Sequence, residues 1–311
     1  MRTALALLLG VALAACAPRA PEPGPLLPGL AGQLPGIESI ELRGAGDGVV
    51  ATLERGADGW RVRERGGWRA DRKLVRALLA DLAGARRTEP RTDRPDKYAR
   101  IGVEPLDAAE PTSAVVEVRM RGNGWERSLL VGEVPRAGLG RFVRVTDEPQ
   151  AWLVDRDFAF PRTPEGWLDT RLVQVPIAFV VGVDSRDDAG HAFALDHRDD
   201  RFRVAGLPSA AMGDSYRGDE LAGVLEDLRL ADVAADTGQA AERTVRFTLR
   251  DATALEFQAF RIDGRAWVRV RECRGEACAA RAEHAGRRFL LPPHLAVRLL
   301  LTRDQVLAKT P

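Results

Sequence analysis

Hydrophobic and polar residues change period along this chain, and the changes mark its elements. At Trp60 and Val62, alternating with Arg61 and Arg63, the period is two, as in a strand with one buried face. Gly66-Gly67 supplies a turn, because glycine tolerates positive φ. From Asp71 the period lengthens: Leu74, Val75, Leu78, Leu79 and Leu82 form one stripe of a helix that Asp71 can cap and Gly84 can end. Burying that stripe is worth roughly 8–15 kcal/mol as an upper bound.

Upstream, Ile40, Leu42, Val49, Ala51 and Leu53 alternate on both sides of a glycine-containing turn and predict a hairpin. Downstream, residues 86–96 read as a polar, proline-containing connection. Strands are expected around Val116, Leu129, Phe142 and Trp152, with turns at Gly122-Asn123-Gly124 and Gly138-Leu139-Gly140. Residues 177–183 read as a short buried strand, followed by a hairpin partner at Phe193 and Leu195 and a third strand at Phe202 and Val204. Asp214 or Ser215 is placed to cap a second helix, with Leu221, Val224, Leu225 and Leu228 on one stripe. More strands follow around Phe247, Phe257, Val268 and Phe289, and Thr302 with Gln305 fits a capping box. Three strands and a helix thus occur twice. The fold class expected is α+β: two related strand-rich halves, residues 37–175 and 176–311, each with antiparallel strands packed on an amphipathic helix.

The first residues follow a different logic. Arg2 precedes an apolar run, residues 4–14, of signal-peptide length and too short to span a bilayer core of roughly 30 Å. The run ends in Leu13-Ala14-Ala15-Cys16, which resembles the bacterial lipobox. That resemblance implies removal of residues 1–15, diacylglycerol on Cys16 and acylation of the new amino group; two or more chains anchor a protein stably. Ala17 stands where an aspartate would favour retention at the inner membrane, so an outer-membrane lipoprotein facing the periplasm is expected. Residues 16–36, rich in proline, read as a tether able to reach about 60 Å if extended.

The sequence order of four further stretches carries a second resemblance. ADRKLVRALLADL, KYARIGV, LLVGEVPRAGLGRFVRV and WLDTRLVQVP, after a strand ending in tryptophan, look like the bacterial family called domain of unknown function 4340, over residues 37–302. The family has no established catalytic residues to carry over. Some members resemble auxiliary parts of envelope ABC systems, which implies a protein partner of that kind. Many relatives begin with a transmembrane anchor where this chain has a lipobox.

Composition narrows the chemistry. The 311 residues carry a formal net charge of +1, so no bulk field selects nucleic acid. Of three cysteines, Cys16 is the lipidation candidate, and Cys273 and Cys278 are expected to pair as a disulfide in an oxidising compartment. The densest set of possible metal ligands is Asp184, Asp187, Asp188 and His191, with Asp196, His197, Asp199 and Asp200 beyond; interspersed arginines and the turn-forming Asp-Asp-Ala-Gly favour a hairpin instead. No serine lies in a nucleophile elbow, and four histidines leave little for acid–base work. Among the tryptophans, Trp68 and Trp167 occupy loop-like positions and are the candidates for an exposed ligand or partner contact. The expectation is a non-enzymatic envelope lipoprotein without cofactor or metal, a scaffold or accessory subunit of an envelope assembly. A periplasmic glycan- or lipid-binding module is the alternative, and a metal-dependent hydrolase using the 184–200 cluster the third reading.

Overall fold

The computed structural model describes residues 22–45, 48–108, 111–112, 115–136, 138–208, 216–274 and 277–308, with residues 277 and 278 described in their backbone only. The expected helix caps at Asp214 and Ser215 and the lipobox cysteine lie outside these residues.

The first sheet is built from β1 (Gly24–Pro25), β2 (Ser39–Gly44), β3 (Val49–Gly56), β4 (Gly59–Val62), β5 (Trp68–Arg69), β6 (Arg86–Thr92), β7 (Val116–Gly122), β8 (Trp125–Val131), β9 (Arg141–Val145) and β10 (Ala151–Val154). Their spatial order is β1-β6-β10-β9-β8-β7-β2-β3-β4-β5, antiparallel throughout. Helix α1 (Leu30–Gln33) precedes β2, and α2 (Arg72–Gly84) follows β5.

After β11 (Arg171–Val173) the chain builds a second sheet from β12 (Val180–Asp187), β13 (Ala192–Arg198) and β14 (Arg201–Val204). Helix α3 (Arg217–Ala222) follows. Then come β15 (Leu228–Arg229), which pairs with β11, and β16 (Asp232–Ala235), β17 (Arg243–Leu249), β18 (Thr253–Ile262), β19 (Arg265–Arg274), β20 (Ala277–Ala279) and β21 (Arg287–Leu290). The order here is β14-β13-β12-β17-β18-β19-β21-β16, with β20 also on β19. Helices α4 (Pro293–Leu299) and α5 (Arg303–Leu307) close the chain.

Eight strands of each order correspond one to one. Read from β4, which the short edge strand β5 flanks, and from the edge strand β14, β4-β3-β2-β7-β8-β9-β10-β6 matches β14-β13-β12-β17-β18-β19-β21-β16, and a helix follows the first three-strand meander in each. A three-strand meander thus recurs whose first strand takes the next hairpin on its free side.

The expected architecture of strands packed on an amphipathic helix is overturned. The protein is strand-rich, with large antiparallel sheets and few, short helices. Only α2, at 13 residues, exceeds seven among the described residues. The geometry explains why. A 13-residue helix is about 20 Å long, whereas ten strands spaced ~4.8 Å apart extend over about 43 Å. One helix cannot cover such a sheet. In the second half the apolar stripe remains buried, with Leu221, Val224, Leu225 and Leu228 at 0% exposure. Yet Gly223 sits within it, and the segment passes from α3 into a 3-10 turn at Gly223–Asp227 and then into β15. Glycine inside a helix costs about 1 kcal/mol relative to alanine, which favours this early end.

Two other segments depart from expectation. Most of residues 86–96 is not a connection: β6, residues 86–92, runs between β1 and β10, with register shifts on either side of Pro90. Residues 22–36 are not a free tether. Leu26 and Leu30 are buried in the main core, the Leu26 amide donates to the Ala85 carbonyl (2.8 Å), and β1 pairs with β6. That core is continuous, running from Leu26 through both sheets to Val306.

Candidate functional site at the junction of the two sheets

The sequence-predicted contacts Trp68 and Trp167 lie on neighbouring, bridged segments near the junction of the halves, and both are buried, at 1% and 0% exposure. They are therefore not an exposed ligand or partner surface. The turn that places Trp68 needs its glycines: Gly66 and Gly67 have φ of +60° and +69°. This turn brings Ala70 into an isolated bridge with Leu168, while the Trp68 indole N–H donates to the Asp169 carbonyl (2.9 Å). Trp167 donates to the Pro161 carbonyl at 3.1 Å. A loop-like sequence of glycine and isolated tryptophan is thus a buried seam; the signal it carried was burial, not exposure.

The second half closes on Trp68 from the other side. The His284 ring stacks on it with centroids 6.1 Å apart, and Phe289 meets it edge-on at 5.1 Å. The Arg69 and Arg287 guanidinium groups lie over the indole at 4.6 and 5.6 Å. Arg287 also donates to the Gly66 carbonyl (2.7 Å). Arg65 spans the seam, donating to Asp232 at 2.6 Å and Glu165 at 2.9 Å, and Arg69 pairs with Glu283.

Electrostatics divide the seam into a dry and a wet side. His284 is 3% exposed, and both ring nitrogens lack a hydrogen-bond partner among the described residues. Burial holds its pKa below the ordinary histidine value; Arg281, Arg69 and Arg287 act in the same direction and Glu283 opposes them. On the wet side, burial resists ionisation of Asp169, but hydrogen bonds and charge from Arg171, with Arg69 beyond, bring its carboxyl below the usual range. A groove of about 390 Å³ lies there among Asp58, Arg69, Arg72, Asp169 and Arg171. It is charged, not aromatic.

The remaining sequence candidates fall elsewhere. Cys273 is buried and sits directly across from Cys278 in the β19–β20 pair. The 184–200 cluster is spread over a hairpin. Asp187 accepts from the His191 backbone (2.8 Å) and faces its ring at 3.1 Å, and Asp196 takes Arg198 (2.8 Å). Asp199 and Asp200 form a turn with φ near +50° and +57°. Among the described residues no three potential ligands gather as a metal site. Sequence reasoning missed the buried charged residues Glu104, Glu117 and Arg144. In strand periodicity Glu117 and Arg144 read as outward and solvated. The apolar residues of KYARIGVEPL were the only hint that a loop covers them.

These features define a class: a strand-rich protein of two topologically matched antiparallel sheets joined at an aromatic–arginine seam. The chain belongs to the family described as domain of unknown function (DUF4340), whose model matches residues 60–251. The match covers β4 through β17, so it includes the seam's first-half turn but leaves out β1 to β3 of one sheet and β18 to β21 of the other. No curated protein matches the chain. No solved structure matches it either.

Proposed function

We propose that this chain is a membrane-anchored envelope lipoprotein that serves, without catalysis, as a scaffold or accessory subunit of an envelope assembly. An ABC transport system is the partner that the resemblance suggests. The reading is supported most by how the N-terminal segment enters the body. With β1 starting at Gly24 and Leu26 buried, only residues 17–23 remain between Cys16 and the sheet. At about 3.1 Å per residue that leash reaches about 25 Å, far short of a tether running to residue 35. An acylated Cys16 would hold the body against the membrane surface, within reach of an embedded partner. The seam points the same way, since its aromatic side chains are spent on joining the two sheets.

Intact mass measurement of detergent-extracted protein tests the anchor. Loss of residues 1–15 and the mass of a diacylglyceryl group plus an amide-linked acyl chain are expected; an unmodified Cys16 would sink the reading. Crosslinking in whole cells tests the role. A reproducible membrane-protein partner is expected, and recovery of the chain alone would count against a scaffold.

The same compartment implies a Cys273–Cys278 disulfide. Directly opposed residues in an antiparallel pair have Cα atoms about 4.5–5.5 Å apart, which lies inside the usual disulfide span. Alkylation without reductant should leave both thiols unlabelled in protein from the envelope.

A further inference from the structure

The outer face of the first sheet carries a second, smaller core. Tyr98, Val103, Leu130 and Ala151 are buried there, away from the main core, beneath the chain around residues 98–107. Between that covering segment and the sheet lies a recess of about 400 Å³, within the ~300–1,000 Å³ range of small-molecule sites.

Its floor is a cross-strand row. Arg43 on β2 opposes Glu117 on β7, Glu117 opposes Leu130 on β8, and Leu130 opposes Arg144 on β9. Glu117 is already engaged: Arg119 donates to it at 2.9 Å and the Ser128 hydroxyl at 2.6 Å. Among the described residues Arg43 approaches carboxylates no closer than 3.9 Å. Arg144 is 6% exposed and makes no ion pair among the described residues. Its Nε donates to the Val103 carbonyl (3.0 Å), and Nη1 reaches the Thr146 and Glu148 carbonyls at 3.4 Å. Nη2 has no partner among the described residues. The guanidinium lies over Tyr98 at 4.5 Å. A buried cation held only by carbonyls and a ring is costly, and burial lowers the pKa of Arg144 accordingly.

The second sheet provides an internal comparison. Its corresponding row is Asp184, Arg246, Glu256 and Arg271, alternating in sign across β12, β17, β18 and β19. There every charge has an opposite neighbour in register. In the first sheet a leucine interrupts the row, and the arginine beyond it is left uncompensated under a covering segment.

We propose that this recess binds a small organic carboxylate with an apolar body. The carboxylate meets the free nitrogen of Arg144 in the field of Arg43 and Arg119, and the body lies against Leu106 and Leu130. The Glu117 carboxylate is occupied by Arg119 and Ser128, and Asp107 stands exposed at the rim. The site is independent of the envelope role proposed above.

Calorimetric titration of the full chain with octanoate, octanol and inorganic phosphate tests it. Saturable octanoate binding is expected, with octanol and phosphate each weaker by about ten-fold or more, the worth of a charge-assisted hydrogen bond or of the apolar contacts. Because Arg144→Gln removes ties to three carbonyls and can fail to fold, Leu106→Asp and Arg43→Gln carry the test. Leu106→Asp should weaken octanoate at least about ten-fold by adding a like charge and removing apolar contact. Arg43→Gln should weaken it about three-fold at low salt. Octanoate binding unchanged by Leu106→Asp, octanol binding as well as octanoate, phosphate binding alone, or no octanoate binding at millimolar concentration would each overturn the proposal.

Discussion

His284 is a buried histidine at the seam. An exposed histidine in a charged loop would titrate freely. Here the ring is sealed between Trp68 and Phe289, and burial depresses its pKa. The consequence has a definite sign. The unfolded chain binds a proton near pH 6.5 and the folded chain only at lower pH, so the unfolded state gains protons first as pH falls. Stability supplied by the neutral ring is complete above about pH 6.5 and declines below it, by at most about 1.4 kcal/mol per pH unit. Urea midpoints measured from pH 7.5 to 5.5 should fall for the natural chain and stay nearly level for His284→Phe. Parallel curves for the two proteins would show that the ring does not set this dependence. Trp68→Ala should cost about 3–5 kcal/mol, as expected for a large buried aromatic, and denaturant unfolding would measure it. An exposed binding tryptophan would cost almost nothing.

At the scale of elements, local signals written into neighbouring residues were legible. Asp71 caps α2, accepting from the Lys73 and Leu74 amides, and Thr302 with Gln305 forms a capping box on α5, both as the spacing indicated. Such motifs need only residues within one turn of each other. The elements misread were those decided by distant partners. β6 is polar and contains a proline, and it is a strand because β1 and β10 offer it hydrogen bonds on both sides. Val181 lies in the expected buried run of residues 177–183, yet it is 41% exposed, because β12 begins only at Val180 and turns that side chain to solvent. The N-terminal segment depends on one close approach. A Cβ at Gly122 would collide with the Gly36 carbonyl and the Glu38 amide. Gly122→Ala should therefore loosen residues 22–36 and cost about 2 kcal/mol or more. Hydrogen exchange should show faster exchange at the Leu26 and Glu38 amides, and protection unchanged at both would contradict this packing.

For the whole molecule, the continuous core and the seam couple the two sheets. Unfolding should follow one transition by tryptophan fluorescence and by far-ultraviolet circular dichroism alike. Arg65→Ala removes the half-buried bridge to Asp232 and Glu165. It should lower stability by about 1–3 kcal/mol, as for a hydrogen bond to a charged group, while keeping the transitions coincident. Separate transitions for the natural chain would mean that the sheets fold independently.

The α2 stripe, the N-caps of α2 and α5 and the turns at Gly66-Gly67 and Gly122-Asn123-Gly124 were determined by the sequence alone, because each rests on interactions between residues close in the chain. The order of strands, the docking of residues 22–36, the burial of Trp68 and Trp167 and the covered row ending at Arg144 were decided only by the tertiary structure. Each depends on which surface a distant segment covers. Periodicity tells which side of a strand a residue faces, but not whether that side meets water or another part of the protein.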